Sequence, residues 1–269
     1  MTELTVMTFN MKRSVFKFGR HAWNRREPLV AQMVRRLEPD ILGTQELTRS
    51  SLADLCRLLP EYSYAGIGRG GGAKGEYTAI FYRTDRFDLL SYETFWLSRT
   101  PNRPSRDATA FFARTCTWCE LAQKEDPERP LRVYNTHLDH ISYFARVRGL
   151  GLIAQEIFKR YEEAPGPVVL MGDFNAAPNS KTLKKWAGST LREDGNTYLL
   201  NSYNVLAQMA PEQSLGRSYH GWRDKAGGKP IDYIFTTKDV VLKKVDILRD
   251  KVGDAFPSDH YPVLAKIEY

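Results

Sequence analysis

Residues 168–175 read Val-Val-Leu-Met-Gly-Asp-Phe-Asn, an apolar run that ends on a glycine and two polar side chains. A short apolar run of this kind indicates a buried strand. Asp173 and Asn175 stand two residues apart, so their side chains lie on one face of an extended segment. Polar side chains at strand ends converge from distant parts of a chain. This stretch therefore predicts a sheet with a polar site at the end of one buried strand.

Five other predicted strands carry polar side chains at or next to one end. In chain order these residues are Asn10, Glu46, His137, Asp232 and the pair Asp259-His260. The set combines hard oxygen ligands with two histidines, which is what metal-assisted hydrolysis of a phosphate ester requires. Each motif alone fits equally well a turn or a solvated charge at a strand end. The chemistry is therefore inferred from the whole set.

Strand and helix patterns alternate along the chain. Helical spacing covers Pro28–Leu37, Ser50–Leu59 and Tyr143–Tyr161. Strands are predicted at Leu4–Asn10, Ile41–Thr44, Thr78–Tyr82, Leu89–Trp96, Thr115–Leu121, Leu131–Thr136, Val168–Met171, Ile231–Thr236, Val241–Leu248 and Val263–Ile267. No low-complexity linker divides the 269 residues. We therefore expect one α/β domain over residues 1–269, with two mixed sheets packed face to face and helices outside.

Composition narrows the class of protein. Hydrophobic residues make up 42% and charged residues 26% of the chain, as in ordinary soluble domains. The first residues lack a signal-peptide pattern and no apolar run is long enough for a membrane span, so we expect a cytoplasmic protein that does not bind membranes. We also expect it to be a monomer. The net charge of +7 modestly favours anionic partners. Cys116 and Cys119 lie in a predicted strand and point to opposite faces, which favours buried packing over redox chemistry.

A divalent cation explains an isolated carboxylate at a sheet end. Glu46 is such a carboxylate, and we predict that it binds metal with Asn10 and Asp259 nearby. His260 follows Asp259 directly, so it is suited to stabilise charge on a phosphate or to move a proton, with Asp232 as the carboxylate that orients it. One member of the Asp173–Asn175 pair can orient a water while the other donates to phosphate.

The combined motifs resemble the endonuclease/exonuclease/phosphatase superfamily. They are Thr8-Phe9-Asn10, Gln45-Glu46, Asn135-Thr136-His137, Gly172-Asp173-Phe174-Asn175, Ile231-Asp232-Tyr233 and Ser258-Asp259-His260. Two further strings, Gly75-Glu76-Tyr77 and Phe95-Trp96-Leu97-Ser98, are similar to a bacterial stand-alone branch near the deadenylase-like group. The resemblance spans nearly the whole chain. It implies a four-layer α/β/β/α sandwich and dependence on Mg²⁺ or Mn²⁺.

The resemblance also implies a role for each motif residue. Glu46 binds the metal directly, with Asn10 and Asp259 close to it. Asp173 orients or deprotonates the attacking water, and Asn175 stabilises the transition state. His137 and His260 contact the scissile phosphate, and Asp232 pairs with His260.

Four secondary candidates come from the same resemblance and from spacing. Glu76 is expected to pair with His137. Arg114 and Arg146 are expected either to face phosphate or to support the structure. Asp139 follows His137 by two residues, which repeats the arrangement of Asp173 and Asn175.

The sequence leaves the substrate open. The leading expectation is a phosphodiesterase or nuclease-like enzyme that attacks an anionic phosphate ester, such as a nucleic acid or nucleotide, with a metal-positioned water. A phosphatase or phosphodiesterase on a small phosphorylated metabolite or nucleotide is the alternative, because loops 66–75 and 98–110 can close a pocket. A catalytically inactive binding module is the third interpretation.

Overall fold

The computed structural model describes residues 3–14, 18–189, 199–204, 216–224 and 227–269. Its strands are β1 (Glu3–Asn10), β2 (Ile41–Gln45), β3 (Tyr62–Ala65), β4 (Ile80–Arg83), β5 (Phe87–Trp96), β6 (Thr115–Gln123), β7 (Asp126–His137), β8 (Val168–Asp173), β9 (Leu200–Asn201), β10 (Asp232–Thr236), β11 (Val241–Ile247) and β12 (Val263–Glu268). Its helices are α1 (Trp23–Leu37), α2 (Arg49–Leu58), α3 (Tyr143–Glu163) and α4 (Lys181–Ser189).

Two six-stranded mixed sheets form the centre of the molecule. The first has the order β11-β12-β1-β2-β4-β3 and the second the order β5-β6-β7-β8-β10-β9. One parallel pair lies inside each sheet, β1 with β2 and β7 with β8, and the neighbouring pairs are antiparallel. The two sheets face each other through these central strands. This architecture confirms the predicted pair of mixed sheets.

Helices cover the outer face of each sheet. Val30, Met33 and Val34 of α1 pack with Met7 and Phe9 of β1 in one apolar cluster outside the first sheet. On the second sheet, α3 and α4 contribute apolar side chains to the main core cluster, which also fills the space between the sheets. No helix in the described ranges is long and apolar enough to cross a membrane.

A buried network of polar side chains connects the two sheets near the ends of strands β2 and β7. The Asn135 amide donates to the carbonyls of Thr44 and Ala79 at 2.8 and 2.9 Å, and its oxygen accepts from Gln45 at 2.7 Å. The backbones approach so closely here that a Cβ on Gly43 would lie 2.8 Å from the Met171 sulfur. Because each buried donor needs its acceptor, the network fixes the registry of one sheet on the other.

Several elements differ from the sequence-based expectation, including strand β7, which begins at Asp126 and not at Leu131. Helix α1 begins at Trp23 and not at Pro28, because the added residues include Arg26, whose buried side chain bonds to neighbouring loops. Strand β3, the two-residue strand β9 and helix α4 were not predicted. Their sequences are short and show little periodicity, so their structure depends on packing against neighbours.

Candidate active site

Strand ends gather the predicted site residues at one edge of the sandwich. Asn10 closes β1, His137 closes β7 and Asp173 closes β8. His137 and Asp173 are register partners in the parallel pair, and Asp232 at the start of β10 pairs with Asp173 in the antiparallel one. The edge opens into a cleft of about 430 Å³. The cleft is lined by Lys12, Glu46, Arg69, Glu76, Phe112, Arg114, His137, His140, Asp173, Asn175, Tyr219, Ile231 and His260.

A carboxylate and two histidines form the floor of the cleft. Asp173 Oδ2 lies 3.6 Å from His137 Nε2 and 3.8 Å from His260 Nε2. On its far side, His260 bonds through Nδ1 to Asp232 Oδ2 at 2.9 Å. All four side chains are buried. A buried Asp–His pair with a second carboxylate beyond it is an arrangement suited to proton transfer and to binding an anion.

The two histidines differ in charge because their neighbours differ. Burial lowers the pKa of His260, but the negative charge and hydrogen bond of Asp232 outweigh it and raise that pKa to about 10. Burial and the nearby positive charge of Arg114 lower the pKa of His137 well below its ordinary value. The site therefore holds one imidazolium and one neutral imidazole at neutral pH.

Asp173 is held in a form that readily accepts a proton. Burial and the negative charge of Asp232 raise its pKa, while His260 and the hydrogen bonds from Asn175 and Asn10 oppose that rise. Its Oδ1 accepts from the Asn175 backbone N–H at 2.9 Å and its Oδ2 from Asn10 Nδ2 at 3.0 Å. A carboxylate with a raised pKa and a fixed orientation is suited to act as a general base.

The predicted metal ligands form a second cluster beside this floor. Asn10 Nδ2 also donates to Glu46 Oε1 at 3.1 Å. Lys12 Nζ lies 3.3 Å from Asp259 Oδ2, and the electrostatic field of Lys12 acts on both Glu46 and Asp259. Although burial raises the pKa of Glu46, Lys12, the Arg13 backbone N–H and Asn10 lower it below the ordinary value. Glu46 is therefore ionised.

These residues fit a hard divalent cation. Asp259 Oδ1 is buried and has no hydrogen-bond partner in the described part of the chain, so it offers a free oxygen, and Lys12 interacts electrostatically with both Asp259 and the ionised Glu46. Asp173, Asp232 and His260 also lie within metal-binding distance of one another. In that triad Nδ1 of His260 bonds to Asp232, so only its Nε2 is left to bind a cation, and binding there would require His260 to release its proton.

Of the secondary candidates, Arg114 lines the cleft, whereas Asp139 and Arg146 stabilise a loop next to it. Arg114 lines the cleft and donates to His140 Nδ1 at 3.0 Å. Asp139 accepts the backbone N–H groups of Ile141 and Ser142, at 3.0 and 2.6 Å, in the turn before α3. Arg146 donates to the Asp139 carbonyl at 2.9 Å. Asp139 and Arg146 thus brace the loop after β7.

Glu76 departs from its expected partner. Its two carboxylate oxygens lie 2.8 Å from Arg69 and 3.2 Å from Arg13, whereas His137 turns its Nε2 toward Asp173. Two guanidinium groups outcompete a neutral imidazole for a carboxylate. The Asn175 side chain also has a local contact, because its Nδ2 donates to the Leu138 carbonyl at 3.1 Å.

The sequence indicated loops 66–75 and 98–110 as possible walls of a pocket, but no pattern singled out the individual residues that line the cleft wall. Arg69 lies within a glycine-rich loop, and Phe112 follows a strand-free segment. His140 lies in the loop after β7, and Tyr219 precedes a turn. The Arg69 guanidinium stacks 4.8 Å above the Phe112 ring, and that ring stacks on His140 with 6.4 Å between centroids. Only the folded chain brings these loops together.

Comparison with known proteins confirms the family that the sequence motifs predicted. The Endonuclease/Exonuclease/phosphatase family profile matches residues 7–260. Mouse nocturnin is 24% identical over 262 residues, which cover 89% of this chain and 56% of nocturnin. The chain thus spans about half the length of the curated relatives it matches.

Solved structures extend the likeness over the whole fold. A mannosyl-6-phosphatase from Bacteroides thetaiotaomicron is 31% identical, with a TM-score of 0.86 over 99% of this chain and 100% of that one. D. rerio TDP2 complexed with a single-strand DNA product is 16% identical, with a TM-score of 0.76 over 100% of both chains. The second likeness concerns the fold alone. The matched profile over residues 7–260 shows that this chain belongs to the endonuclease/exonuclease/phosphatase family.

Proposed function

We propose that the protein is a divalent-metal-dependent phosphoester hydrolase that removes a terminal phosphate from a small phosphorylated metabolite. Membership of a family of phosphoester hydrolases supports the reaction class. The observation that carries the choice of substrate is the wall on one side of the cleft. A wall leaves room for a phosphate at the end of a molecule, whereas the interior of a polymer needs a groove that is open at both ends.

Two loops build this wall by direct contact. The Trp96 indole donates to the Arg69 carbonyl at 2.7 Å, and Arg69 stacks on Phe112. At Gly71 the glycine-rich loop approaches Pro104 so closely that a Cβ there would lie 2.8 Å from the proline ring. Loops 66–75 and 98–112 therefore support each other, and their residues Arg69 and Phe112 line one side of the cleft.

Asp173 is the proposed general base. It takes a proton from a water as the water oxygen bonds to phosphorus, and the bond from phosphorus to the leaving oxygen breaks. The imidazolium of His260 stabilises the charge that develops on the phosphate oxygens, and Asp232 keeps His260 protonated. His137 orients a phosphate oxygen, and Asn175 donates to another after releasing the Leu138 carbonyl. The released alcohol takes its proton from solvent.

Glu46 and Asp259, with Asn10 beside them, would hold Mg²⁺ or Mn²⁺. The bound cation would supply Lewis-acid stabilisation of negative charge on the phosphate. Lys12 pairs with Asp259 and lines the cleft, and it would place its positive charge next to the same phosphate. Arg114 lines the cleft and adds a further cation for an anionic substrate.

A nuclease-like phosphodiesterase is the second candidate. Exposed Phe111, Phe112 and Tyr219 stand beside or in the cleft and can stack on a nucleobase. Among solved relatives, TDP2 binds a single-strand DNA product, whereas the more similar mannosyl-6-phosphatase is named for a phosphomonoester.

A substrate panel separates these candidates. We expect phosphate release from sugar phosphates or nucleotides, with Mg²⁺ or Mn²⁺, to exceed cleavage of single-stranded DNA, duplex DNA and RNA by at least about tenfold in kcat/KM, because the wall excludes a continuing chain. Bis-p-nitrophenyl phosphate reports diester hydrolysis in the same series. Faster cleavage of an oligonucleotide would replace the proposal by the nuclease-like function. Inactivity on every substrate would favour the binding module.

The Asp232–His260 pair predicts a pH effect. Because Asp232 raises the pKa of His260, the imidazolium persists through neutral pH and is lost only as the pH rises through about 10. In the Asp232→Asn variant the negative charge of Asp232 is absent, so burial lowers the pKa of His260. We expect the alkaline fall of kcat/KM to move to lower pH by about 1–3 units. Superimposable pH profiles for the two proteins would contradict the role given to this pair.

A further inference from the structure

Arg26 is a buried cation outside the cleft. It lies on α1 and is 1% exposed. Its four hydrogen bonds all go to backbone carbonyls: Nε donates to His21 at 2.8 Å, Nη1 to Met11 at 2.7 Å and to Pro257 at 2.9 Å, and Nη2 to Lys12 at 2.6 Å. Within the described ranges no carboxylate lies at ion-pair distance from it. The main effect of such a side chain is therefore to hold the backbone segments whose carbonyls it binds, and not to neutralise a carboxylate.

The carbonyls that accept from Arg26 belong to the two segments that carry candidate metal ligands. Met11 and Lys12 follow Asn10 at the end of β1, and Pro257 lies two residues before Asp259. One guanidinium nitrogen, Nη1, joins both segments. Ser258 supplies a second clasp between them, because its hydroxyl donates to the Asn10 carbonyl at 2.6 Å.

The same backbone also holds Glu46. The Lys12 carbonyl and the Arg13 N–H belong to one peptide group, whose carbonyl accepts from Arg26 while its N–H donates to Glu46 Oε2 at 2.8 Å. Lys12 has a φ of +52° and Glu46 a φ of +66°, conformations that side-chain-bearing residues adopt only when their surroundings enforce them. Rotation of this peptide would break both hydrogen bonds together.

The surroundings of Arg26 favour its charged form. The faces of Trp23 and Trp222 lie 5.4 Å from the guanidinium carbon. Burial lowers the pKa of Arg26 to about 10, and the negative charges of Asp259 and Glu46 act against that fall. The side chain is therefore protonated at neutral pH and retains all its donors.

We propose that Arg26 is a positioning residue for a divalent cation held at Glu46 and Asp259. It acts by fixing the segment after β1 against the segment before β12, so that the ligand oxygens stay together when no cation binds them. Mg²⁺ demands near-ideal ligand geometry, so small shifts of such supports weaken binding. This inference rests on the metal dependence in the proposed function.

The test measures Mn²⁺ binding by calorimetry on the full chain, without substrate. Arg26→Lys keeps the charge but loses the fork of donors, so we expect its Kd for Mn²⁺ to rise by about 10–100-fold. Ser258→Ala is expected to raise the Kd in the same direction by a smaller factor. In activity assays, Arg26→Lys needs more Mn²⁺ for half-maximal rate, while kcat at saturating Mn²⁺ stays close to wild type.

Arg132→Lys is the matched control. Arg132 also donates to backbone carbonyls, those of Arg160 and Ala164 at 3.1 and 2.6 Å, but it does so at the far end of α3. We expect this variant to lose thermal stability without a change in Mn²⁺ affinity. Should Arg26→Lys and Ser258→Ala both bind Mn²⁺ like wild type, the inference is overturned. If Arg26→Lys fails to fold, Ser258→Ala alone decides.

Two results separate this inference from the proposed function. Wild-type protein that binds Mn²⁺ but hydrolyses no phosphoester would refute the function, and the variants would still test Arg26. Wild-type protein that binds neither Mn²⁺ nor Mg²⁺ would refute both.

Discussion

Asp173→Asn is expected to lower kcat by about 10²–10⁴-fold, the usual contribution of a positioned general base. The substitution keeps the shape of the side chain and removes the group that accepts the proton from water. Substrate binding through Lys12, Arg114 and His260 stays in place, so KM should change much less than kcat. Steady-state kinetics on the preferred phosphoester give both values.

The same variant is expected to be more stable than wild type at neutral and alkaline pH. Burial and Asp232 raise the pKa of Asp173, so ionisation of Asp173 destabilises the folded state as the pH rises through that value. The carboxamide of the variant carries no such charge, and the gain in melting temperature should disappear in acid. A stabilised but inactive protein is the usual signature of a residue retained for catalysis.

Asp40→Asn is the matched control for both measurements. Asp40 is also buried, but it accepts from the Thr5 N–H at 2.7 Å and pairs with Arg86, away from the cleft. Its loss should destabilise the protein and leave kcat unchanged. A kcat for Asp173→Asn within about threefold of wild type would remove Asp173 from the proposed mechanism.

Gly172→Ala is expected to destabilise the protein by roughly 3 kcal/mol or more, a large effect for one methyl group. Gly172 has a φ of +145°, and a Cβ there would lie 2.0 Å from the Thr136 carbonyl oxygen. That oxygen belongs to the neighbouring strand of a parallel pair, in which Thr136 and Gly172 are register partners. Relief of the clash must separate β7 from β8 beside Asp173. Urea unfolding of the purified variant measures the loss.

Gly151→Ala is the matched control, and it is expected to stabilise the protein where Gly172→Ala destabilises it. Gly151 lies inside α3, and a Cβ there would meet no atom within 4 Å. Alanine in a helix interior is favoured over glycine by about 0.5–1 kcal/mol, so this variant should be more stable than wild type. Similar unfolding midpoints for Gly172→Ala and wild type would show that the strands can separate at little cost.

The positions at strand ends made it possible to predict from sequence that the candidate site residues lie together. Asp173, Asp232 and His260 stand next to apolar runs, and any sheet that buries those runs brings such positions to an edge. The contacts of Glu76 and Asn175 were not predictable in this way. Glu76 contacts the Arg69 guanidinium and Asn175 contacts the Leu138 carbonyl. Both contacts depend on the conformation of loops, which no sequence periodicity predicts.

Helix α1 shows a similar limit. Its apolar stripe was visible from Leu29 onward, but its first turn was hidden because Trp23 and Arg26 serve tertiary contacts. Pro28 lies inside the helix, where it disfavours the helical turn before it because it has no N–H to donate. Tertiary bonds from Arg26 override that local preference. The part of α1 that escaped prediction therefore carries Arg26, whose guanidinium bonds to the segments next to Asn10 and Asp259.

The pairing of β1 with β12 has a consequence for synthesis. Glu3 lies opposite Glu268, so a strand made early in translation must wait for one made much later. Pairings between such distant segments form slowly and leave edges exposed until they close. A nascent chain halted before His260 has Asp173 and Asp232 but lacks their imidazole partner. The proposed hydrolytic activity should therefore appear only after β12 has left the ribosome.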